Sequence, residues 1–282
     1  MQTTHNADSD FTPTRDGTRL SYRVIPGEGI GRESMGRFVL VHSLAMDKNF
    51  WNTTVQALKG AGDVLIFDCR GHGQSDKPKG PYSVGQFADD VADLMDHLGW
   101  PSAIVGGASM GGTVSLAFAG RYPARVAGLG LFDTTAWYGQ NAPGAWAERA
   151  AKAVNEGMQA LVGFQKTRWF GDAFREANPS IVEESVAVFL ANDLSAFAAT
   201  CEMLGAADLR EFLPKFAFPC EIRVGSEDYA TPPEMARYLA DNIKGSNLKV
   251  MEGVRHLSPL EVPTEIAAAL IKLNAAVAKS SR

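Results

Sequence analysis

Short runs of consecutive apolar residues punctuate the first half of the chain. They are RFVLVHS (Arg37 to Ser43), VLIFD (Val64 to Asp68), AIVGGAS (Ala103 to Ser109) and VAGLGLFD (Val126 to Asp133). Runs of this length without polar alternation predict strands covered on both faces, as in a parallel sheet. Between them the apolar positions change to a helical period. In VGQFADDVADLMDHLGW, Phe87, Val91, Leu94 and Leu98 fall on one stripe, carboxylates take the other face, and Gly99 ends the helix. MGGTVSLAFAGRYP predicts a second helix closed by Pro123. Ahead of these, FTPTRDGTRLSYRVI predicts a hairpin with Asp16-Gly17 at its turn.

The strand–helix alternation predicts an α/β chain with a mostly parallel, doubly wound sheet. It breaks after Asp133. From about Trp137 to about Leu213 the pattern is helical, and strands return at EIRVG (Glu221 to Gly225) and NLKVM (Asn247 to Met251). A helical insert between strands of an open sheet lies over their carboxyl ends, where such sheets bind ligands. The expected organisation is therefore a core of residues 1–136, a helical cap of residues 137–213 and a second core portion of residues 214–282.

Composition narrows the function. The chain has 282 residues and a net charge of −5, with no basic run interleaved with aromatics, so a nucleic-acid partner is not expected. The opening MQTTHNADSD, which contains His5, is polar and does not read as a secretory signal, and no apolar stretch is long enough to span a bilayer. Three scattered cysteines, Cys69, Cys201 and Cys220, suggest free thiols in a reducing cytoplasm. The five histidines lack metal-ligand spacing, so no metal site and no cofactor is expected.

The chemistry centres on GGASMGG. Gly107-Ala108-Ser109-Met110-Gly111 fits G-x-S-x-G at a predicted strand-to-helix junction. A turn sharp enough to lift a serine Oγ above the sheet strains that residue, and side chains two positions either side would clash, so glycines are needed there. A serine needs a base. His256, in the loop after the last predicted strand, is the candidate; His42 and His72 are rivals with structural roles available, and His97 lies on a polar helix face. The orienting carboxylate is expected to be Asp228, in VGSEDYATPP, with Glu227 exposed beside it and Asp133 as its competitor. Two backbone N–H groups are expected to hold an oxyanion: Met110, at the start of the helix, and Leu44, in HSLAMD, with Ser43 next in line. Arg70 and His72, in DCRGHGQSD, read as loop-fixing residues. Ser43, Trp137, Trp169 and Leu257 are candidates for the substrate pocket. Trp146, Phe164, Phe170, Phe189 and Phe197 are further cap aromatics, expected to serve mostly as core.

HSLAMDKNFW, FDCRGHGQSDKP, GASMGG and GSEDYATPPEMARYLADNI…VRHLSPLEVP together resemble the α/β-hydrolase superfamily, and within it 3-oxoadipate enol-lactonase-type hydrolases. The likeness extends into the cap at RWFGDAFREANPSIVE and AFAATCEMLGAADLRE. The resemblance implies an eight-stranded sheet flanked by helices, a cap after the sixth strand, and Ser109, Asp228 and His256 as nucleophile, acid and base. It implies hydrolysis of a small ester or lactone without a cofactor, and leaves a homodimer open. A carbon–carbon bond hydrolase, a perhydrolase or a non-catalytic small-molecule receptor are the alternatives on the same scaffold. The chain departs from the family after the sixth strand. Relatives often carry asparagine and a basic residue near a substrate carboxylate, whereas this chain has DTTAWYG, which counts against a dicarboxylate-type lactone.

Overall fold

A computed structural model describes residues 9–27, 36–58 and 60–280. The opening residues 1–8, with His5, lie outside the described residues. Eight strands form one sheet: β1 (Asp10–Pro13), β2 (Arg19–Ile25), β3 (Gly36–Val41), β4 (Gly62–Phe67), β5 (Ala103–Ala108), β6 (Val126–Phe132), β7 (Cys220–Gly225) and β8 (Asn247–Met251). Their spatial order is β1-β2-β4-β3-β5-β6-β7-β8. β1 and β2 form the expected hairpin, with Gly17 at φ 87°, and β2 pairs antiparallel to β4. Every other pairing is parallel. β5 and β7 are buried along their whole length; β5 is accordingly apolar throughout, whereas β7 encloses Glu221 and Arg223 as an ion pair at 2.8 Å. β8, at the sheet edge, alternates and buries only Met251 fully.

The helices of the core are α1 (Asn52–Ala57), α2 (Val84–His97) and α3 (Met110–Arg121). α2 begins with a capping box between Ser83 and Gln86 and buries Phe87, Val91 and Leu94. One part of its polar face differs from expectation. Asp90 is buried, not solvated, and accepts from Arg70 Nε at 2.7 Å and Nη2 at 2.6 Å. Arg70 also reaches Asp16 at 2.9 Å, so this guanidinium ties the β1–β2 turn to α2 and to the loop after β4. A second buried pair lies beside it: Lys48 Nζ donates to Asp68 at 2.8 Å. α3 is apolar on nearly all sides because the sheet and α2 enclose it.

The chain between β6 and β7 forms α4 (Ala142–Glu156), α5 (Gln159–Trp169), α6 (Asp172–Ala177), α7 (Pro179–Leu190) and α8 (Leu194–Ala206). α4 packs along α8, and α5 contacts α4 and α7. These helices bury Trp169, Phe170, Phe189 and Phe197 among themselves. After β7 come α9 (Pro233–Asn242), α10 (Ser258–Glu261) and α11 (Pro263–Ser280). Cys69, Cys201 and Cys220 are buried and free. No single described helix is long and apolar enough to cross a membrane.

The Arg70–Asp90 pair gives a test of the core. Arg70→Met strands a buried carboxylate and should cost about 3 to 5 kcal/mol in urea unfolding, whereas Arg70→Met with Asp90→Leu should recover most of that loss. A single variant as stable as wild type would show that the pair is not enclosed as described.

Candidate active site

Ser109 joins β5 to α3 at φ 54° and ψ −118°, a left-handed conformation that a side chain adopts only under strain. Its backbone is pinned on both sides. The N–H donates to the Phe132 carbonyl at 2.9 Å, and the Ser109 carbonyl accepts from the Thr134 hydroxyl at 2.7 Å and the Gly112 N–H at 2.9 Å. The flanking glycines are there for space. A Cβ on Gly107 would sit 2.0 Å from the Gly111 carbonyl oxygen, and one on Gly111 would sit 2.0 Å from that of Val41.

The histidine and carboxylate arrive from the far strands. His256 follows β8, and its Nε2 lies 2.8 Å from Ser109 Oγ. Its Nδ1 lies 2.8 Å from Asp228 Oδ2, with Asp228 in the loop after β7. Asp228 is itself fixed by the Ala230 and Thr231 N–H groups, at 2.8 and 3.0 Å, and by the Thr231 hydroxyl at 2.9 Å. Burial alone would raise its carboxyl. The attraction of His256 and these donors outweigh it and hold the group below the usual carboxylate range.

Asp133, the competitor, makes no hydrogen bond to His256. Its two oxygens accept from the Gly225 N–H at 3.2 Å and the Ser258 N–H at 3.0 Å. It thereby joins the end of β7 to the segment just after His256. Burial, then repulsion from Asp228, raise its carboxyl well above the ordinary range. Glu227 is partly exposed and is paired with Arg255 at 3.2 Å.

The loop after β3 approaches Ser109 from the other side. His42 is buried, with Nδ1 2.8 Å from the Ser43 carbonyl and Nε2 accepting from the Cys69 N–H at 3.0 Å. Burial lowers its basicity, so it serves as a neutral brace. His72 packs on it at 5.1 Å and is pushed down to about 3 by burial and by His42. The brace leaves Leu44 N–H without a protein acceptor among the described residues. Met110, the first residue of α3, has no acceptor within the helix either. Ala45 follows at φ 59°, its carbonyl held by Asn192 of the cap at 2.9 Å.

Cap and core enclose a cavity of about 560 Å³ over Ser109. Ser43, Leu44, Ser109, Trp169 and His256 line it, as do Trp146 and Phe164. Two expected pocket residues do not. Trp137 pairs with Asp208 near the cap's exit and lies under the Arg210 guanidinium at 3.7 Å. Leu257 is fully buried, and its N–H donates to the Trp169 carbonyl at 3.0 Å. Trp137 thus ties the entry of the helical insert to its exit, and Leu257 ties the insert to the segment after β8.

The relationships of the chain agree with this architecture. The family model described as alpha/beta hydrolase fold matches residues 36–263. The chain belongs to the α/β-hydrolase family. It is 31% identical to 3-oxoadipate enol-lactonase 2 of Acinetobacter baylyi over 233 residues, 83% of this chain and 86% of that protein. The crystal structure of the enol-lactonase from Burkholderia xenovorans LB400 superposes with a TM-score of 0.87 at 35% identity, covering 94% of this chain and 99% of that one. A thermophilic esterase from Thermogutta terrifontis, with malate bound, gives a TM-score of 0.87 at 27% identity, covering 96% and 99%.

Tyr138, Arg149 and Arg168 are among the residues lining this α/β hydrolase's cavity that were not singled out from the sequence. Arg149, on α4, rests on Trp146 at 5.0 Å and Phe197 at 5.9 Å. Its Nε is enclosed without a partner, and no carboxylate among the described residues pairs with it. Burial lowers its pKa, with Arg168 adding repulsion. Arg168, at the end of α5, donates to the Tyr229 carbonyl and also lacks a carboxylate partner among the described residues. Between Glu148 and Ala150 in AWAERAAKAV, Arg149 carries no local signal of the cavity; the fold half-buries it against Trp146 and Phe197.

The glycine geometry is directly testable. Gly111→Ala drives a Cβ into backbone and should cost at least about 2 kcal/mol. Gly163→Ala, in α5 with nothing within 4 Å, should be neutral or stabilising by up to about 1 kcal/mol. Equal urea midpoints for the two variants would contradict the described packing at Ser109.

Proposed function

We propose that this α/β hydrolase cleaves a carboxylic ester or lactone with Ser109 as nucleophile, through an acyl-enzyme. The observation that carries the reading is the hydrogen-bonded series Ser109 Oγ, His256, Asp228, with both contacts at 2.8 Å. His256 takes the Ser109 proton through Nε2 as Oγ attacks the carbonyl carbon. Asp228 accepts from Nδ1, fixing the ring's tautomer and stabilising the imidazolium that forms. The carbonyl oxygen, negative in the tetrahedral intermediate, is held by the Leu44 and Met110 N–H groups, each worth about 3 kcal/mol by analogy with known oxyanion donors. The proton on Nε2 passes to the leaving oxygen as the C–O bond breaks. Water, deprotonated by His256, then attacks the acyl-enzyme and restores Ser109.

The names of the relatives, two enol-lactonases and an esterase, favour this reaction class. Arg149 and Arg168 refine it. Both side chains are half-buried at the cavity wall, with Arg149 Nε fully enclosed, and such a cation without a counter-ion gains from a ligand that supplies one. The carboxylates nearby do not: Asp228, behind the cavity wall, is engaged with His256, and Glu148, which lines the cavity, is exposed beside exposed Lys152. This supports a substrate with a carboxylate of its own. The positive charge expected after β6, where Trp137 stands, is on this reading supplied by the cap.

Two measurements test the proposal. On p-nitrophenyl acetate and a lactone panel, Ser109→Ala, His256→Ala and Asp228→Asn should each lower kcat by about a thousandfold or more. Asp133→Asn should lose about tenfold or less; the reverse order for the two aspartates would reject Asp228 as the acid. Arg149→Met and Arg168→Met should lower kcat/KM for the monomethyl ester of a dicarboxylic acid by about tenfold or more. The same variants should change the neutral dimethyl ester far less, and equal losses on both esters would reject an anionic substrate.

A further inference from the structure

Tyr138 is a polar group in the cavity that the proposed chemistry leaves unused. It follows β6, on the way into α4, and its ring stands edge-on to Trp146 with centroids 5.2 Å apart. Its Oη is buried, lies beside the Thr113 and Ser109 side chains, and meets hydrogen-bond geometry with neither. Thr113 has its hydroxyl turned to the Thr135 carbonyl at 3.3 Å. A buried hydroxyl without a partner is unfavourable, and one aimed into a ligand cavity finds its partner in what binds there. Burial pushes the phenol up to about 12, so at neutral pH it remains a hydrogen-bond donor.

The strand order tells which substrate atom it meets. β5, which carries Ser109, lies between β3 and β6. The Leu44 loop comes from β3, so the carbonyl oxygen of a bound ester faces that side. Asp228 and His256 come from β7 and β8, beyond β6, and His256 must deliver its proton to the leaving oxygen. Tyr138 therefore enters on the leaving-group side, opposite the oxyanion donors.

We propose that Tyr138 is a further catalytic residue that donates a hydrogen bond to the leaving-group oxygen while its bond to the acyl carbon breaks. This rests on the serine-hydrolase reading above. The proton balance of that reaction is unchanged. The Ser109 proton travels through His256 Nε2 to the departing oxygen, and Tyr138 keeps its own proton, stabilising the negative charge that builds before the transfer completes. The contribution is greatest for strongly basic leaving groups, as in alkyl esters and lactones, and least for a phenolate already stabilised by a nitro group.

The test is a leaving-group series. Esters of one acid, from p-nitrophenyl through phenyl to ethyl, are compared by kcat/KM, which reports the acylation step, in wild type and Tyr138→Phe. The variant should lose least on the p-nitrophenyl ester and about tenfold or more on the ethyl ester and on a lactone. The dependence of log kcat/KM on leaving-group pKa becomes steeper. Loss of one unpaired hydroxyl should leave the melting temperature at or above that of wild type. A uniform loss across the series, or no loss, would overturn the role of Tyr138 while leaving the serine mechanism standing. A wild type that hydrolyses no ester in the series, or a Ser109→Ala protein that matches it, would overturn the underlying reading and this proposal with it.

Discussion

The left-handed backbone of Ser109 is the constraint on which the rest of the site depends. At φ 54° the chain reverses from β5 into α3 within one residue, which projects Oγ above the sheet and directs the first N–H groups of the helix toward it. Such a conformation costs about 1 to 3 kcal/mol and persists only where its surroundings over-determine it. Here the Phe132 carbonyl, the Thr134 hydroxyl and two close backbone approaches at Gly107 and Gly111 do so. The same closeness brings the end of β3, and with it the Leu44 loop, against the start of α3. The shape that exposes the serine is thus the shape that brings the loop carrying the Leu44 N–H beside the first turn of α3.

A second constraint couples the cap to the histidine. The His256 N–H points at the Arg168 carbonyl at 3.4 Å, and that of Leu257 donates to Trp169 at 3.0 Å. Arg255 donates to the Thr167 and Phe170 carbonyls at 2.8 and 3.1 Å, and Glu261 accepts from Gly171 and Arg255. From below, Asp133 ties Ser258 to Gly225. The end of α5 is therefore part of the support for the imidazole, and the cavity wall at Arg168 and Trp169 is rigidly placed relative to Ser109. Movement of the helices at this seam would displace the His256 imidazole as well as the wall.

Much of this was legible in the chain because it is written in local rules. Unbroken apolar runs marked the buried strands, and G-x-S-x-G at a strand-to-helix junction marked Ser109. His256 and Asp228 were recognisable because each follows a strand end on the face that Ser109 shares. The choice between Asp228 and Asp133 was not local: both follow strands at the same edge, and only the fold shows one bonded to the imidazole and the other to two backbone N–H groups. Asp90 read as surface because a helix period cannot reveal that Arg70 will cross from another loop to pair with it. Trp137 and Leu257 read as pocket residues by proximity in sequence to the site, yet Trp137 pairs with the exit of the helical insert and Leu257 bonds to the end of α5. Tyr138, Arg149 and Arg168 were illegible for the same reason, since the cavity exists only where α4 and α5 close over the sheet.

The central claim is that this relay makes Ser109, alone among the chain's hydroxyls, strongly nucleophilic. Labelling with an alkyl fluorophosphonate, read by intact mass and peptide mapping, tests it most directly. The account predicts one phosphonyl group per chain, on Ser109 Oγ with fluoride displaced, and little or no labelling in His256→Ala. Labelling at another residue, or equal labelling of Ser109 with and without the imidazole, would contradict it.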